Sequence, residues 1–354
     1  MNHLSHKIQY KQSKFTLCAA NLFIFILLIL MTGCSEQPSD IHFEYQKRLS
    51  NAADKPFAKV EKLSNITQPI PAPFNKNNIS VGVLQLVQLN KCALSTLIAE
   101  HNSQLGKLAT PASKLIYQIE FIKAAPACLK VLDENSNSYQ QISASLINKK
   151  TLLANHFKHF LYNDVELKKT WQLTHYELDT NFNGLVETEL ALKRIATIKE
   201  QIDASDYQNI NTQHIYQGLE QLNRFNFNQA LITASRNQIY LNELTTDYLT
   251  NNIELSTLCD PLKNKKQAQI ISNIFKKFYL EQLQPYQSQL TGALERLMPY
   301  YHILWGDSMN SQAALNEQLF NSNEKNLLNR LKKSAKNHVV WWQSFYKQCE
   351  ISPI

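Results

Sequence analysis

A cysteine stands at each outer end of the stretch Cys92 to Cys128, CALSTLIAEHNSQLGKLATPASKLIYQIEFIKAAPAC, and what lies between reads as a helix, a sharp turn and a second helix. Leu94, Leu97, Ile98 and Leu105 recur at helical spacing in the first arm, and Leu115, Ile119 and Ile122 in the second. Gly106 is expected to end the first arm in a left-handed backbone conformation. Thr110 followed by Pro111 supplies an N-cap and a first-turn proline for the second. Counted from the turn at about 1.5 Å per residue, Cys92 lies ~21 Å back and Cys128 ~25 Å forward. An antiparallel hairpin therefore returns both sulfurs to the same end.

The rest of the chain extends this helical reading. Glycine is scarce, at seven of 354 residues, and falls with proline mostly at candidate boundaries. Long stretches rich in Leu, Gln, Glu and Lys favour an all-α fold of long antiparallel helices. A first helix is expected from Asp40 to about Asn51, with Ile41, Tyr45 and Leu49 inward. Pro56, Pro69, Pro71 and Pro73 make residues 53–79 extended and helix-poor. The alternation in residues 80–89 could be a strand, but no partner strand is evident, so the Cys92 helix is read from about Leu84. Helical patterns then cover 139–169, 186–203, 207–223 and 227–252. The last third runs outward over 262–304, with Pro285 and Pro299 as kinks, turns at Trp305 to Ser311 and returns over 312–349. Those arms measure ~63 and ~55 Å by helical rise.

The N-terminus sets the compartment. Lys7, Lys11 and Lys14 precede a continuously apolar run from Leu22 to Met31. Such a run is too short to span a bilayer, and its basic flank fits a secretory signal peptide over residues 1–33. Met31-Thr32-Gly33-Cys34 follows at once and resembles the bacterial lipobox. Cys34 would then carry the lipid, palmitate included, and become the new N-terminus. Residues 34–39 form a tether and residues 40–350 the helical domain. Ser35, rather than Asp, after the cysteine implies outer-membrane delivery facing the periplasm.

Loss of the signal removes three lysines and no acid, so the formal charge falls from +7 to +4. That is too mild for nucleic acid, and only six of the 36 basic residues are arginine, the residue suited to bidentate phosphate contacts. Cys18 leaves with the signal and Cys34 takes lipid. The remaining Cys92, Cys128, Cys259 and Cys349 allow three pairings. The two-hairpin geometry selects Cys92–Cys128 and Cys259–Cys349. If Pro285 reversed the chain fully, the second pair would lie at opposite ends.

Several constellations invite chemistry. Glu100, His101, Asn102 and Ser103, with Gly106 beyond, put an acid, an imidazole and a hydroxyl side by side. Sequence neighbours point in different directions on a helix, so the expected role is helix termination rather than a catalytic relay. Asp179, Asn181 and Asn183 with Gly184 resemble the start of a calcium loop, yet position 12 is Leu190 where a bidentate Glu is needed. A polar turn capping the next helix is the expected reading. His156 and His159 lack a third ligand, and no cofactor is implied. Trp341, Trp342, Phe345 and Tyr346 form an aromatic cluster, with Trp342 and Tyr346 expected to be partly exposed.

Cys92-x-Leu94, Asn102-Ser103-x-Leu105-Gly106, Cys128, Leu258-Cys259-x-Pro261, Phe278-Tyr279, His338, Trp342 and Cys349 together resemble an uncharacterised family of gammaproteobacterial envelope lipoproteins, domain of unknown function 3080. The resemblance covers about residues 40–350. In the family pattern an arginine precedes the Asn-Ser pair and a second Ser follows it; here those places hold His101 and Gln104. If the arginine acts chemically, this member acts differently or not at all. The resemblance supplies a location and an extent, and no activity.

The expected function is a structural or partner-binding module, held at the membrane by its N-terminal lipid, with an envelope protein as partner. One alternative is an envelope hydrolase with Glu100 and His101 as acid–base groups. Another is a bundle holding an apolar ligand between its helices.

Overall fold

The computed structural model describes residues 37–61, 63, 92–260, 262, 265–309 and 326–352. Among them every regular element is helical, so the fold is all-α. The signal peptide, Cys34, most of the proline-rich segment, residues 80–89 and the turn beyond Met309 lie outside the described residues. Residues from Pro38 onward form one compact unit.

Helix α1 (Pro38–Ala53) starts two residues before the expected cap at Asp40. Its first turn is capped from a distant loop. The Ser39 backbone N–H donates to Glu177 Oε2 at 3.0 Å, and the Ser39 hydroxyl donates to the same carboxylate. An acid placed there satisfies free amides and complements the helix dipole. Tyr45 and Leu49 are fully buried.

The first hairpin comprises α2 (Leu94–Asn102), a single turn α3 (Gln104–Lys107) and α4 (Pro111–Leu129). Thr110 caps α4 by accepting from the Ser113 amide at 3.1 Å, with Pro111 in the first turn. Cys92 is bonded to Cys128 across a Cα separation of 5.3 Å. Three details differ from expectation. The helix read from about Leu84 through Cys92 begins only at Leu94, because Cys92 and Ala93 form a bend and turn at the disulfide. Gly106 does not adopt a left-handed conformation and sits inside α3. The break falls instead at Ser103, which is extended (φ −63°, ψ 166°) and caps α3. Leu105, expected on the inward stripe, is 82 % exposed, because the break at Ser103 changes the helical phase.

The middle of the chain folds as α5 (Asn137–Asn163), α6 (Val165–Lys169), α7 (Leu185–Asp203), a 3-10 turn (Tyr207–Asn209), α8 (Gln213–Phe225) and α9 (Phe227–Asn252). The short α10 (Leu255–Leu258) leads to Cys259. Then α11 (Lys266–Ile274) passes through a π-helical stretch, Phe275–Leu283, into α12 (Gln284–Met309). Pro285 thus leaves the helix unreversed. It lacks an amide and its ring crowds the carbonyl four residues back; the wider π register, with the Gln284 N–H reaching Tyr279 O, accommodates it. Trp305, expected in the turn, is buried within α12.

Helix α13 (Leu327–Cys349) returns beside α12 and α9. Cys349 bonds Cys259 at a Cα separation of 4.5 Å. The largest apolar core lies between α4, α5, α7, α9 and α12. A second, around Tyr45, Leu49, Phe275, Tyr279, Trp342 and Phe345, joins α1, the π stretch and the end of α13 next to the second disulfide. A small third core holds α2 against α4 and α5.

Candidate functional site

The residues of the first hairpin that invite chemistry are held in structural roles. The Ser103 hydroxyl donates to Glu100 O at 2.7 Å and accepts from the Gly106 amide at 3.0 Å. A methyl group on Gly106 would lie 2.2 Å from His101 O and 2.5 Å from Glu100 O. Glycine is therefore required for close backbone approach, not for its sign of φ. Glu100, Asn102 and Ser103 are exposed, whereas His101 is half-buried and stacks on Tyr117 at 3.6 Å between nearly parallel rings.

Behind that stack sits Lys149 of α5. Its ammonium donates to Gln118 Oε1 at 2.7 Å and lies 4.5 and 4.8 Å from the ring centres of Tyr117 and Phe121. Burial pushes this lysine down to about 8. Burial, then the charges of Lys149 and Lys114, lowers His101. His156 is lowered to about 4, mainly by burial and then by Lys149. His101 thus faces aromatic and cationic neighbours. A neutral ring held flat against Tyr117 pins α2 to α4, and Lys149 over the Tyr117 and Phe121 rings ties α4 to α5, with stacking and cation–π contacts each contributing about 1 kcal/mol.

Asp179 Oδ1 accepts from the amides of Asn181 and Phe182 at 3.0 and 3.1 Å. Phe182 (φ 53°) and Gly184 (φ 94°) are left-handed, and Gly184 leads directly into α7. Glu189 pairs with Arg296 rather than joining the loop. This is a polar turn entering a helix. Among the described residues no three His, Cys, Asp or Glu side chains are grouped to hold a metal.

A seam of buried polar side chains runs between α1, α9, α12 and α13. Gln287 accepts from Asn242 at 3.1 Å and donates to Gln238 and Asn242 at 3.0 Å each; Tyr279 OH donates to it at 3.3 Å. Farther along, Trp342 Nε1 donates to His338 Nε2 at 3.1 Å, and Tyr45 OH meets the same nitrogen at 3.0 Å. An indole can only donate, so Nε2 is the acceptor and Nδ1 carries the proton. That proton goes to Thr246 Oγ1, 3.1 Å away, whose own hydroxyl donates to Asn242 O. Burial holds His338 well below the ordinary imidazole range, and lowers His42 to about 3. Trp342 is 1 % exposed and belongs to this seam; Trp341 and Tyr346 are the half-buried members of the aromatic cluster. The expected Trp342–Tyr346 exposed pair is corrected accordingly, since Trp342 stacks on Phe275 at 4.1 Å.

One face of the seam opens to the surface. A groove of about 410 Å³ runs between α12 and α13, floored by Tyr279 and Gln287. Its walls are Gln284, Ser288 and Thr291 on α12 and Ala335, Val339, Val340 and Gln343 on α13, with Lys332 and Lys336 at one end. The volume lies in the range of small-ligand and peptide-side-chain sites, about 300–1,000 Å³. Its floor is placed by the π turn, which carries Tyr279.

Sequence reasoning missed the groove and Lys149. The lysine had a signal: Ile142, Ser145, Lys149, Leu153 and His156 form one buried stripe of α5, with a cation in mid-stripe. The groove had none, because the apolar period of each arm of the second hairpin does not report the concavity left where the two pack.

The family model for proteins of unknown function (DUF3080) matches residues 43–353, so the chain belongs to that family. No curated protein and no solved structure matches the chain.

Proposed function

We propose that this member of the DUF3080 family is a lipid-anchored protein of the bacterial envelope that binds a partner protein. The anchor is Cys34, and delivery is to the periplasmic face of the outer membrane. The lipobox-like Met31-Thr32-Gly33-Cys34 behind a basic, apolar leader supports the location. The observation that carries the binding role is the groove between α12 and α13, backed by the buried hydrogen bonds of Gln287 and Tyr279 in its floor and a disulfide close to its core. A rigid concave surface binds without first paying to order itself. The hydrolase reading has less support, since Ser103 is engaged by Glu100 O and the Gly106 amide, and His101 by the Tyr117 ring.

The test is site-specific photo-crosslinking in living cells from Gln343, inside the groove, and from Ile147 on α5, which is 65 % exposed. A discrete protein adduct is expected from Gln343 alone. Equal adducts from both positions, or full complementation by an abundant, folded Val340→Trp variant that fills the groove, would refute the binding role. For the anchor, Cys34→Ser should leave the protein soluble or unprocessed; fractionation as mature lipoprotein would refute it.

A further inference from the structure

The groove has a direction. Lys332 of α13 pairs with Glu295 of α12 at 2.6 Å, and toward the other end Trp342 of α13 stacks on Phe275 of the π stretch that leads into α12, so the two helices run antiparallel along it. Lys332 and Lys336 therefore face the Thr291 end, and Gln343 faces the Gln284 end. From Lys332 to Gln343 the helical rise gives about 16 Å, the length of about five residues of extended chain at ~3.3 Å each.

Its lining divides into three kinds of group. Ala335, Val339 and Val340 make an apolar stripe along α13, and Val340 is 47 % exposed. The floor is already satisfied: Tyr279 OH reaches Gln287 and Ala335 O, and the Thr291 hydroxyl donates to Gln287 O at 2.8 Å. On the walls, the side chains of Gln284, Ser288 and Gln343 have no hydrogen bond among the described residues, and Lys336 has no ion pair among them. Lys332 pairs with Glu295, so Lys336 is the charge of the lining left without an ion pair among the described residues.

Resting on the partner-binding reading, we infer that the groove takes an extended, apolar peptide segment of about five residues carrying a carboxylate at its Lys336 end. The wall amides and hydroxyl lie on α12, facing the apolar stripe, and at its Gln343 end, where a peptide backbone offers them donors and acceptors. A fatty-acyl chain would cover the same groups and return no hydrogen bond. The free cation at one end favours an acid there, in a charge-assisted contact.

The experiment uses the full-length mature protein in detergent micelles and an immobilised array of pentapeptides. Their first four positions hold Val, Leu and Ser, and the last holds Asp, Asn or Lys. Asp-ended peptides should bind about tenfold tighter than Lys-ended ones at low salt, with the ratio falling as salt is added. Lys336→Glu should reverse that order, and Val340→Trp, at an exposed position, should abolish binding by the folded protein. Laurate should not displace the peptides. The inference is overturned if no peptide binds, if Lys336→Glu leaves the end preference unchanged, or if laurate competes. A Gln343 crosslink to a protein together with a blank array would leave partner binding standing and remove this inference alone.

Discussion

Acid should unfold this protein through its buried histidines. His42 is completely buried, with neither ring nitrogen in a hydrogen bond of normal geometry, and burial lowers it to about 3 despite partial relief from Asn242. An unfolded-chain imidazole titrates near 6.5. Between those values the unfolded state binds the extra proton, so stability falls as pH falls. From pH 7.5 to 5.0 the loss from His42 alone is about 2 kcal/mol. His156, lowered to about 4, adds a similar amount. His338 acts in the same direction, because a proton on Nε2 would face the Trp342 N–H and the Tyr45 hydroxyl. Lys149, lowered to about 8, is mostly protonated in both states over this window and changes stability by only about 0.2 kcal/mol, at its alkaline end. Glu177, Asp164 and Glu243, all raised mainly by burial, oppose the trend at its acid end by taking up protons in the folded state. The assay is urea unfolding followed by tryptophan fluorescence at both pH values, on the native sequence and on His42→Leu. The substitution should flatten the pH dependence by about 2 kcal/mol. An unchanged slope in the variant would refute the assignment of His42 as a neutral buried group.

The remaining expectations concern the two hairpins. Cys259→Ala with Cys349→Ala opens a loop of 90 residues and Cys92→Ala with Cys128→Ala one of 36. Chain entropy gives losses of about 4.6 and 3.8 kcal/mol, read as lowered melting temperatures; non-reducing peptide maps showing a Cys128–Cys259 peptide would contradict both pairings. Gly106→Val should destabilise the hairpin by about 1–3 kcal/mol, since the added side chain meets backbone carbonyls. His101→Ala, which removes only the stack on Tyr117, should cost about 1 kcal/mol and leave complementation intact once abundance is matched by blot. A stable, abundant His101→Ala protein that fails to complement would restore the catalytic reading.

Helix class, most helix spans and both hairpins were readable from the chain, because the signals are local. A 3.6-residue apolar period, Thr110-Pro111 at a helix start and Pro285 within an apolar run each act over one or two turns. The phase of a helix is less secure. One extended residue at Ser103 turned Leu105 outward and changed why Gly106 is glycine. Partial exposure was misjudged at Trp342 for a related reason: which side of α13 is covered depends on α1 and the π stretch, which arrive from elsewhere in the chain. The neutral state of His338 and the α12–α13 groove belong wholly to tertiary structure. Desolvation is a property of what surrounds a group on all sides, and a concavity exists only between elements. The sequence by itself determined the helical class and most of the helix spans; only packing decided where breaks such as that at Ser103 fall, which polar side chains were sealed in and which were left facing a groove.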